Sequence, residues 1–321
     1  MKKVINILLV LCLLFAAGCT KQEQNGPVRI GTLKGATSIG LLSLMEKNEA
    51  GESDTDLIFE VFVAIDELTA KIAGGEIDIA TVPANMASIL YSRTNGEITV
   101  ININTLGVLY ILSARNDISS VADLKGKTLY LSGKGTVPDL TLQYLLAQNN
   151  MSMSDLKVEY KSEQTEAAAA LAADSNAVAL LPQPFAAAVM KNNSSVKINL
   201  DLSKEWEKTE GAGSPVTGVT VVRNQFLKDN PEAVKKFLAE HQASAEFAQS
   251  NPKEAAALAV KFGIIDNESV AEDAIPLCST VCISDNAQMK ELLGSYLKVL
   301  YEMNPETVGG SLPEDSFYYK P

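Results

Sequence analysis

The chain contains 321 residues and is acidic, with 39 Asp and Glu against 27 Lys and Arg and a formal net charge of −12. An acidic chain without a basic stripe argues against nucleic-acid binding, because nothing in it would neutralise a phosphate backbone. The charge does not exclude a small anionic ligand, since local dipoles can oppose the net field. About 300 residues are ample for two lobes, each with its own core.

The N-terminus has the pattern of a secretory signal. The charged start Met1–Lys3 precedes Val4–Ala17, a nearly continuous apolar run. This run is too short to span a bilayer comfortably and suits the apolar region of a signal peptide. Small residues then precede Cys19, which resembles a bacterial lipobox and predicts a signal peptide over 1–18 and lipidation of Cys19. The alternative is plain secretion with Cys19 incidental; residues 19–27 are polar and are expected to form a flexible tether.

The first part of the chain alternates short apolar runs with helical patterns. A glycine and several hydroxyls follow the first strand, and Thr37 or Ser38 is placed to cap the helix that comes next. The elements predicted here are strand Val28–Thr32, helix Ile39–Lys47, strand Leu57–Phe62, helix Ile65–Ala73, strand Ile77–Val82 and helix Met86–Arg93.

Thr128–Leu146 is the most informative stretch of the middle part. Its strand is followed by a loop with Gly133 and Gly135 and by a helix that begins near Pro138, so free N–H groups and the positive end of a helix dipole lie just past two glycines. The spacing fits neither a Walker A loop nor a dinucleotide fingerprint. The other strands predicted here are Ile98–Ile103, Val108–Ala114, Val158–Tyr160, Ala177–Leu181, Val196–Leu200 and Val216–Val222, and the helices are Ser119–Lys127, Thr165–Ala173, Phe185–Lys191 and Leu202–Trp206.

The remainder of the chain has a helical pattern, ending in the amphipathic stretch Ala287–Met303. In the tail, the aromatic residues Phe317–Tyr319 are expected to pack back on the body. The only histidine, His241, lies on or beside an apolar helical stripe and is expected to be structural. Beyond residue 19 the cysteines are Cys278 and Cys282, whose spacing is poor for a disulfide, so they are interpreted as small buried residues, with a local disulfide as the alternative. One histidine without a cysteine cluster argues against a zinc site.

Four features together carry a family resemblance: Gly75–Asn85, Leu124–Lys127, Leu180–Pro184 and the lipobox. In this order the chain resembles the extracellular solute-binding proteins of bacterial ABC importers, in the branch that handles nitrate, sulfonates, taurine and thiamine precursors. The resemblance implies the α/β fold of type II periplasmic binding proteins, with two lobes and a ligand cleft between them. Lobe 1 is expected over residues 28–112 and 215–321, and lobe 2 over residues 113–214.

The loops that follow the strands are expected to project into this cleft, because ligands in such sheets bind outside the carboxyl ends of strands. A bound carboxylate, sulfonate or phosphate is expected between the helix starts at Ser38 and Thr136, with Lys34 or Lys134 nearby; N-capping is the alternative role of each hydroxyl. Apolar walls are expected from Val137, Leu181, Pro182 and Phe185. From lobe 1 and the hinge, the expected ligand-binding residues are Lys34, Gly35, Thr37, Ser38, Pro83, Asn85, Asn104, Thr105 and Ser214. From lobe 2 they are Ser132, Gly133, Gly135, Thr136, Val137, Pro182 and Gln183.

These features predict a substrate-binding lipoprotein that captures a small polar or anionic organic solute by hinge closure and delivers it to a permease. No catalytic residue, cofactor or metal is expected. The partners are the solute, the ABC permease with its ATPase, and the outer face of the cell membrane through Cys19, and the protein is expected to be a monomer. The alternatives are an enzyme on the same fold, of the pyrimidine-precursor or menaquinone-pathway type, and a sensor or adhesin.

Overall fold

The computed structural model of the protein describes residues 26–209 and 214–320, so the predicted signal peptide and Cys19 lie outside the described residues. The strands β1 to β11 are Val28–Leu33, Leu57–Phe62, Ile79–Pro83, Ile98–Leu106, Leu109–Ser113, Thr128–Ser132, Lys157–Lys161, Val178–Pro182, Lys197–Asp201, Val216–Arg223 and Thr280–Ile283. The α-helices α1 to α12 are Leu42–Glu49, Ile65–Ala73, Ala84–Arg93, Val137–Gln148, Gln164–Ala173, Phe185–Asn192, Leu202–Glu207, Asn224–Asp229, Pro231–Ser250, Pro252–Lys261, Glu268–Ala274 and Asn286–Met303.

The first sheet has six strands in the order β11-β4-β10-β3-β1-β2. Strands β1 and β2 pair in parallel from Val28–Leu57 to Leu33–Phe62, as a strand–helix–strand unit requires. Strand β10, which follows all five strands of the second sheet in the chain, is inserted between β3 and β4 and is antiparallel to both. The first sheet is therefore built from two separate stretches of the chain, as the interrupted pattern of strands and helices predicts.

The second sheet has five strands in the order β7-β6-β8-β5-β9. Strand β5 pairs with β8 and β9, so the chain crosses between the sheets at Gly107 and Val108, before the predicted boundary at residues 112 and 113. All five residues of β5 are buried, as suits a strand with neighbours on both sides. The crossing requires glycine, because a Cβ atom on Gly107 would lie 1.9 Å from the Ser203 Oγ and 2.9 Å from the Pro215 Cγ.

Two predictions about the helical parts of the chain are wrong. The stretch after β1 forms a 3₁₀ helix over Ala36–Leu41 before α1 begins, and its N-cap is Gly35 with a φ of 136°, so neither Thr37 nor Ser38 caps a helix. The C-terminal part is not entirely helical either, because β11 pairs antiparallel with β4 at the edge of the first sheet. A strand of four residues between helices carries too short a pattern to be separated from a loop.

Aromatic residues connect the helices of the two sheets. Trp206 on α7 is fully buried, and its ring centroid lies 4.2 Å from that of Tyr144 on α4 and 5.5 Å from that of Tyr296 on α12. At the end of the chain, the Tyr319 N–H donates to the Val100 carbonyl at 2.9 Å and Phe317 is fully buried, so the predicted packing of the aromatic tail is confirmed.

A buried ion-pair cluster lies at the edge of the first sheet where β1 and β3 begin and β10 ends. The Asp78 carboxylate is 1% exposed and lies 2.6 Å from the guanidinium nitrogens of both Arg29 and Arg223. Burial opposes ionisation of Asp78, but hydrogen bonds from Arg29 and Arg223 outweigh burial and hold its pKa below the usual value. The three residues come from β1, from the turn before β3 and from β10, so the cluster joins both stretches of the chain that form this sheet.

Both predicted structural cysteines are free thiols. Cys278 is fully buried, and its Sγ contacts the Ala274 carbonyl at 3.3 Å; Cys282 is half-buried, 3.2 Å from the Asn102 Nδ2. Burial raises the pKa of each thiol to about 12. Within residues 26–209 and 214–320, no group of three or more His, Cys, Asp or Glu side chains could hold a metal ion, and no helix is long and apolar enough to cross a membrane.

Candidate functional site

A cavity of about 210 Å³ lies between loops of the two sheets. On the first-sheet side it is lined by the loop after β1 and by the segment between α10 and α11, and on the second-sheet side by the starts of α5 and α6. Its lining is mainly apolar, as is usual for pockets that bind small organic molecules. The lining residues are Lys34, Gly35, Thr165, Pro184, Phe185, Ala188, Ile264, Ile265, Asp266, Asn267 and Val270.

Lys34 is the cationic group of this cavity. Its Nζ pairs with the Asp266 carboxylate at 2.7 Å, and the two side chains are 37% and 84% exposed. Such an exposed ion pair contributes at most about 1 kcal/mol, so an anionic ligand could recruit the ammonium group at little cost. The backbone of Lys34 is fixed by a hydrogen bond from its N–H to the Phe62 carbonyl at 2.8 Å. Gly35 leaves open space where a side chain would stand.

Beneath this loop, the predicted polar residues of the first sheet bind one another. The Ser38 Oγ lies 2.7 Å from the Thr32 Oγ1 and also donates to the Leu33 carbonyl. Asn104 donates to the Thr220 Oγ1 at 3.1 Å, and the Thr105 Oγ1 donates to Asn104 at 2.8 Å. These side chains are buried and satisfy one another, and none of them lines the cavity.

Two further predicted residues, Thr37 and Pro83, lie beside these side chains and are also outside the lining of the cavity. Thr37 is half-buried and lies against β10, where a Cβ on Gly218 would stand 2.6 Å from its Cγ2. Pro83 is half-buried at the end of β3. The sequence placed Asn104 and Thr105 in a loop, but β4 continues through both.

Asn85 faces the C-terminal segment of the chain. Its Nδ2 donates to the Thr307 carbonyl at 3.4 Å, and Ser88, one turn further along α3, donates to the Val308 carbonyl at 2.7 Å. Among the described residues the Asn85 Oδ1 has no hydrogen-bond partner. Asn85 was predicted to bind the ligand, but these contacts give its side chain a structural role against the turn at residues 305–308.

The predicted glycine loop after β6 is held by a carboxylate of the protein itself, that of Asp139. Gly133 and Gly135 have φ angles of 75° and 76°, and Thr136 is the N-cap of α4, although its Oγ1 donates back to the Gly133 carbonyl. The Gly135 N–H donates to the Asp139 Oδ2 at 2.7 Å, and the Tyr160 hydroxyl donates to the Oδ1 at 2.7 Å. Asp139 is buried and therefore already compensates the positive end of α4. An anionic ligand group is disfavoured there relative to the Lys34 side.

The carboxyl end of β8 presents an amide to the interior. The Gln183 Oε1 accepts from the Ala187 N–H at 3.2 Å, which fixes the orientation of the amide. The Gln183 Nε2 is buried and has no acceptor within the part of the chain that is described. Pro182 is half-buried beside it, and Phe185 is half-buried and lines the cavity as the predicted wall.

The remaining predicted residues are divided between the interior and the surface. Ser132 and Val137 are buried and do not line the cavity, and Ser214 is half-buried just before β10. Three parts of the cavity lining carry no clear signal in the sequence and were not predicted: Thr165, Ala188 and the Ile264–Val270 segment. The signal for that segment was weak: Gly263, with a φ of 67°, ends one helix, and Asn267 caps the next by accepting from the Val270 N–H.

His241 lies away from this cavity, in the core on α9. It is fully buried, and its Nδ1 lies 3.0 Å from the Asn102 Nδ2. Burial lowers its pKa to about 4, so the imidazole is neutral at physiological pH. The predicted structural role is confirmed, and burial is complete.

Comparisons with known proteins agree with this architecture. Residues 98–255 match the family model described as NMT1/THI5 like. A Brucella abortus protein named as a binding protein is 24% identical over 255 residues, which cover 78% of this chain and 76% of the relative.

Solved structures extend the likeness to nearly the whole chain. A Parabacteroides distasonis ABC transporter structure is 22% identical with a TM-score of 0.78 and covers 92% of this chain and 99% of its own. The periplasmic aliphatic sulphonate binding protein SsuA from Escherichia coli is 18% identical with a TM-score of 0.73, covering 92% of both chains. The alkanesulfonate-binding protein SsuA from Xanthomonas axonopodis, bound to MOPS, is 18% identical with a TM-score of 0.66 and covers 90% of this chain and 95% of its own. The chain therefore has the two-lobed α/β fold of type II periplasmic binding proteins.

Proposed function

We propose that this chain, an NMT1/THI5-like member of the solute-binding proteins of ABC importers, captures a small polar or anionic organic solute and delivers it to a permease. The observation that carries the proposal is the cavity of about 210 Å³ in which the loop after β1 meets the start of α6. These loops follow strands of different sheets, so a ligand bound between them favours closure of the two lobes.

The solute is held by three kinds of contact. The Lys34 ammonium, released from Asp266, pairs with an anionic or acceptor group of the ligand. The Gln183 Nε2, which has no acceptor among the described residues and belongs to the residue just before the lining residues Pro184 and Phe185, supplies a second donor from the opposite sheet when the lobes close. Phe185 and the Ile264–Val270 segment cover an apolar part of the molecule. A carboxylate or sulfonate on a small organic body has this combination of groups.

The protein is secreted, and Cys19 is its lipid-bearing first residue, so it acts at the outer face of the cell membrane as a monomer. The apolar run before Cys19 and the polar residues 19–27 support this assignment. An enzymatic function on the same fold is the alternative. The fully buried, neutral His241 gives that alternative no support, and the relatives described above are named for binding or transport.

A ligand screen tests the function directly. The purified protein is heated with sulfonates, inorganic anions, thiamine precursors and amino acids, and a true ligand at 100 times its Kd stabilises the folded state by about 2.7 kcal/mol. We expect Lys34→Gln to weaken binding of the identified solute, while Lys204→Gln, an exposed lysine on α7, leaves it unchanged. No stabilisation by any of these classes would contradict solute capture, and equal affinities of the two variants would contradict the placement of Lys34.

A further inference from the structure

The edge of the first sheet at which β1, β3 and β4 begin is called the amino edge. It carries an open groove of about 500 Å³, distant from the cavity described above. Three lysines, Lys228, Lys235 and Lys320, line it together with Asp315, and the rings of Tyr318 and Tyr319 form its floor. The formal net charge of the protein is −12, so a groove lined by more lysines than acidic residues differs in charge from the average surface. We propose that this groove binds the headgroups of anionic phospholipids in the membrane to which the chain is anchored.

The strand register places the groove on the side of the sheet where the chain arrives from the tether. Ile30 is paired with Ile79, Ile79 with Val222, and Val222 with Thr99, so these residues form one row across β1, β3, β10 and β4. Thr99 lines the groove, and Val28, the first residue of β1, lies two residues before Ile30. Three strand spacings of about 4.8 Å separate the ends of this row by roughly 14 Å.

The tether keeps this edge near the bilayer, a point that rests on the proposed lipid anchor at Cys19. Residues 20–27 can span at most about 26–29 Å when fully extended. The amino edge therefore stays within that distance of the headgroups, and rotation of the body brings the groove to the surface. Lysines attract anionic lipids strongly only within about one Debye length, near 8 Å at physiological salt.

The charges of the groove remain available to a phosphate group. Lys235 pairs with Glu232 at 2.9 Å and Lys320 with Asp315 at 4.0 Å, but the two lysine side chains are 53% and 64% exposed, so these pairs are weak and exchangeable. Lys228 is also exposed. Long lysine side chains can reach from such a groove to the headgroup level while their stems stay on the protein.

Three arginines lie along the same edge, together with acidic residues. Of the four arginines in the sequence, Arg29, Arg93 and Arg223 lie at this edge, and the last two line a second groove of about 330 Å³. Asp78 is buried between Arg29 and Arg223 and neutralises one of the two charges. Glu97 lines the same second groove and Glu76 interacts electrostatically with Arg29, so acidic groups offset the arginines and the attraction to an anionic surface rests on the three lysines of the first groove.

Lysine footprinting in membranes tests the proposal on the full, lipidated chain. The protein is reconstituted in nanodiscs of phosphatidylcholine, with or without phosphatidylglycerol, and acetylation rates are read for each lysine by mass spectrometry. We expect Lys228, Lys235 and Lys320 to react about fivefold more slowly with phosphatidylglycerol present. Lys134 and Lys204, on the second-sheet side, keep their rates. Equal rates for the groove lysines in both lipids would overturn the proposal.

Two further measurements distinguish lipid binding from other causes of lysine protection. Inorganic phosphate added to phosphatidylcholine discs should give no comparable protection; full protection by phosphate would replace the lipid site with a soluble-anion site. The double variant Lys228→Gln/Lys235→Gln should melt normally, yet Lys320 should lose its protection, whereas Lys134→Gln/Lys204→Gln should retain it.

Controls on the same preparation keep this proposal apart from the proposed function. Detergent-phase partition of the chain against Cys19→Ser reports the anchor, and a chain that fails to partition contradicts both the anchor and the groove proposal. Equal acetylation rates in a chain that partitions and still binds its solute overturn the groove proposal alone.

Discussion

His241 makes the stability of the protein depend on pH in a way that can be measured at one residue. The side chain is fully buried on α9, its ring centroid lies 5.4 Å from that of Phe237, and its pKa is lowered to about 4 by burial. In the unfolded chain the same imidazole titrates near 6.5. As the pH falls below about 6.5, the unfolded chain binds the proton first, so the free energy of unfolding decreases until the pH reaches about 4.

The size of the effect follows from this difference in pKa. At 1.36 kcal/mol for each pKa unit, lowering the pH from 7.5 to 4.5 should remove about 2.5 kcal/mol from the free energy of unfolding. Carboxylates also begin to titrate in this range, so the wild type must be compared with His241→Gln. The variant lacks the imidazole, and we expect its loss of stability over the same interval to be smaller by about 2.5 kcal/mol.

Two measurements check this prediction. Urea unfolding at pH 7.5 and 4.5 gives the free energies for both proteins. Proton NMR follows the imidazole directly, and assignment is simple because the sequence contains one histidine. We expect its C2 proton shift to stay constant between pH 8 and about 5 in the folded protein. A titration midpoint near 6.5 in the folded state, or equal pH dependence of wild type and variant, would refute the argument from burial.

Three other predictions concern the core. Asp78→Asn should lower the free energy of unfolding by about 3–5 kcal/mol, because it leaves two arginines without their buried partner. The control Glu52→Gln, at an exposed position, should leave the free energy of unfolding unchanged. Similar urea midpoints for the two variants would contradict this prediction. Gly107→Ala should lower the free energy of unfolding by about 1–3 kcal/mol, because the added Cβ meets Ser203. Ser203→Ala in the same chain should recover part of this loss. If the effects of the two substitutions simply add in the double variant, the contact is contradicted. Cys278 should resist alkylation at pH 8 until the protein unfolds, as read by peptide mass mapping; rapid labelling of the folded protein would contradict its burial.

Local sequence patterns predicted most of the fold, because apolar periodicity and glycine-containing loops are set by neighbouring residues. Strand β1 and helix α4 begin and end within a few residues of their predicted limits. The short strand β11 was missed, because its four residues gain their stability from pairing with β4, 174 or more residues earlier in the chain, and not from a local pattern.

The candidate site was less predictable for the same physical reason. A polar residue after a strand has the same local appearance whether it meets a ligand or another part of the chain. Asn85 faces Thr307, and Asp139 turned out to occupy the helix start that suggested an anion site. The wall formed by Ile264 and Ile265 arises from packing between distant segments, which a single sequence does not reveal.

Trp206 gives the protein an intrinsic optical probe. It is the only tryptophan in the sequence, it is fully buried, and its indole ring packs against Tyr144 of α4 and Tyr296 of α12, helices that belong to opposite sides of the molecule. Its fluorescence emission should therefore be blue-shifted in the folded protein relative to the unfolded chain. Any rotation of one lobe against the other changes that environment, so opening and closing can be followed in solution without attaching a dye.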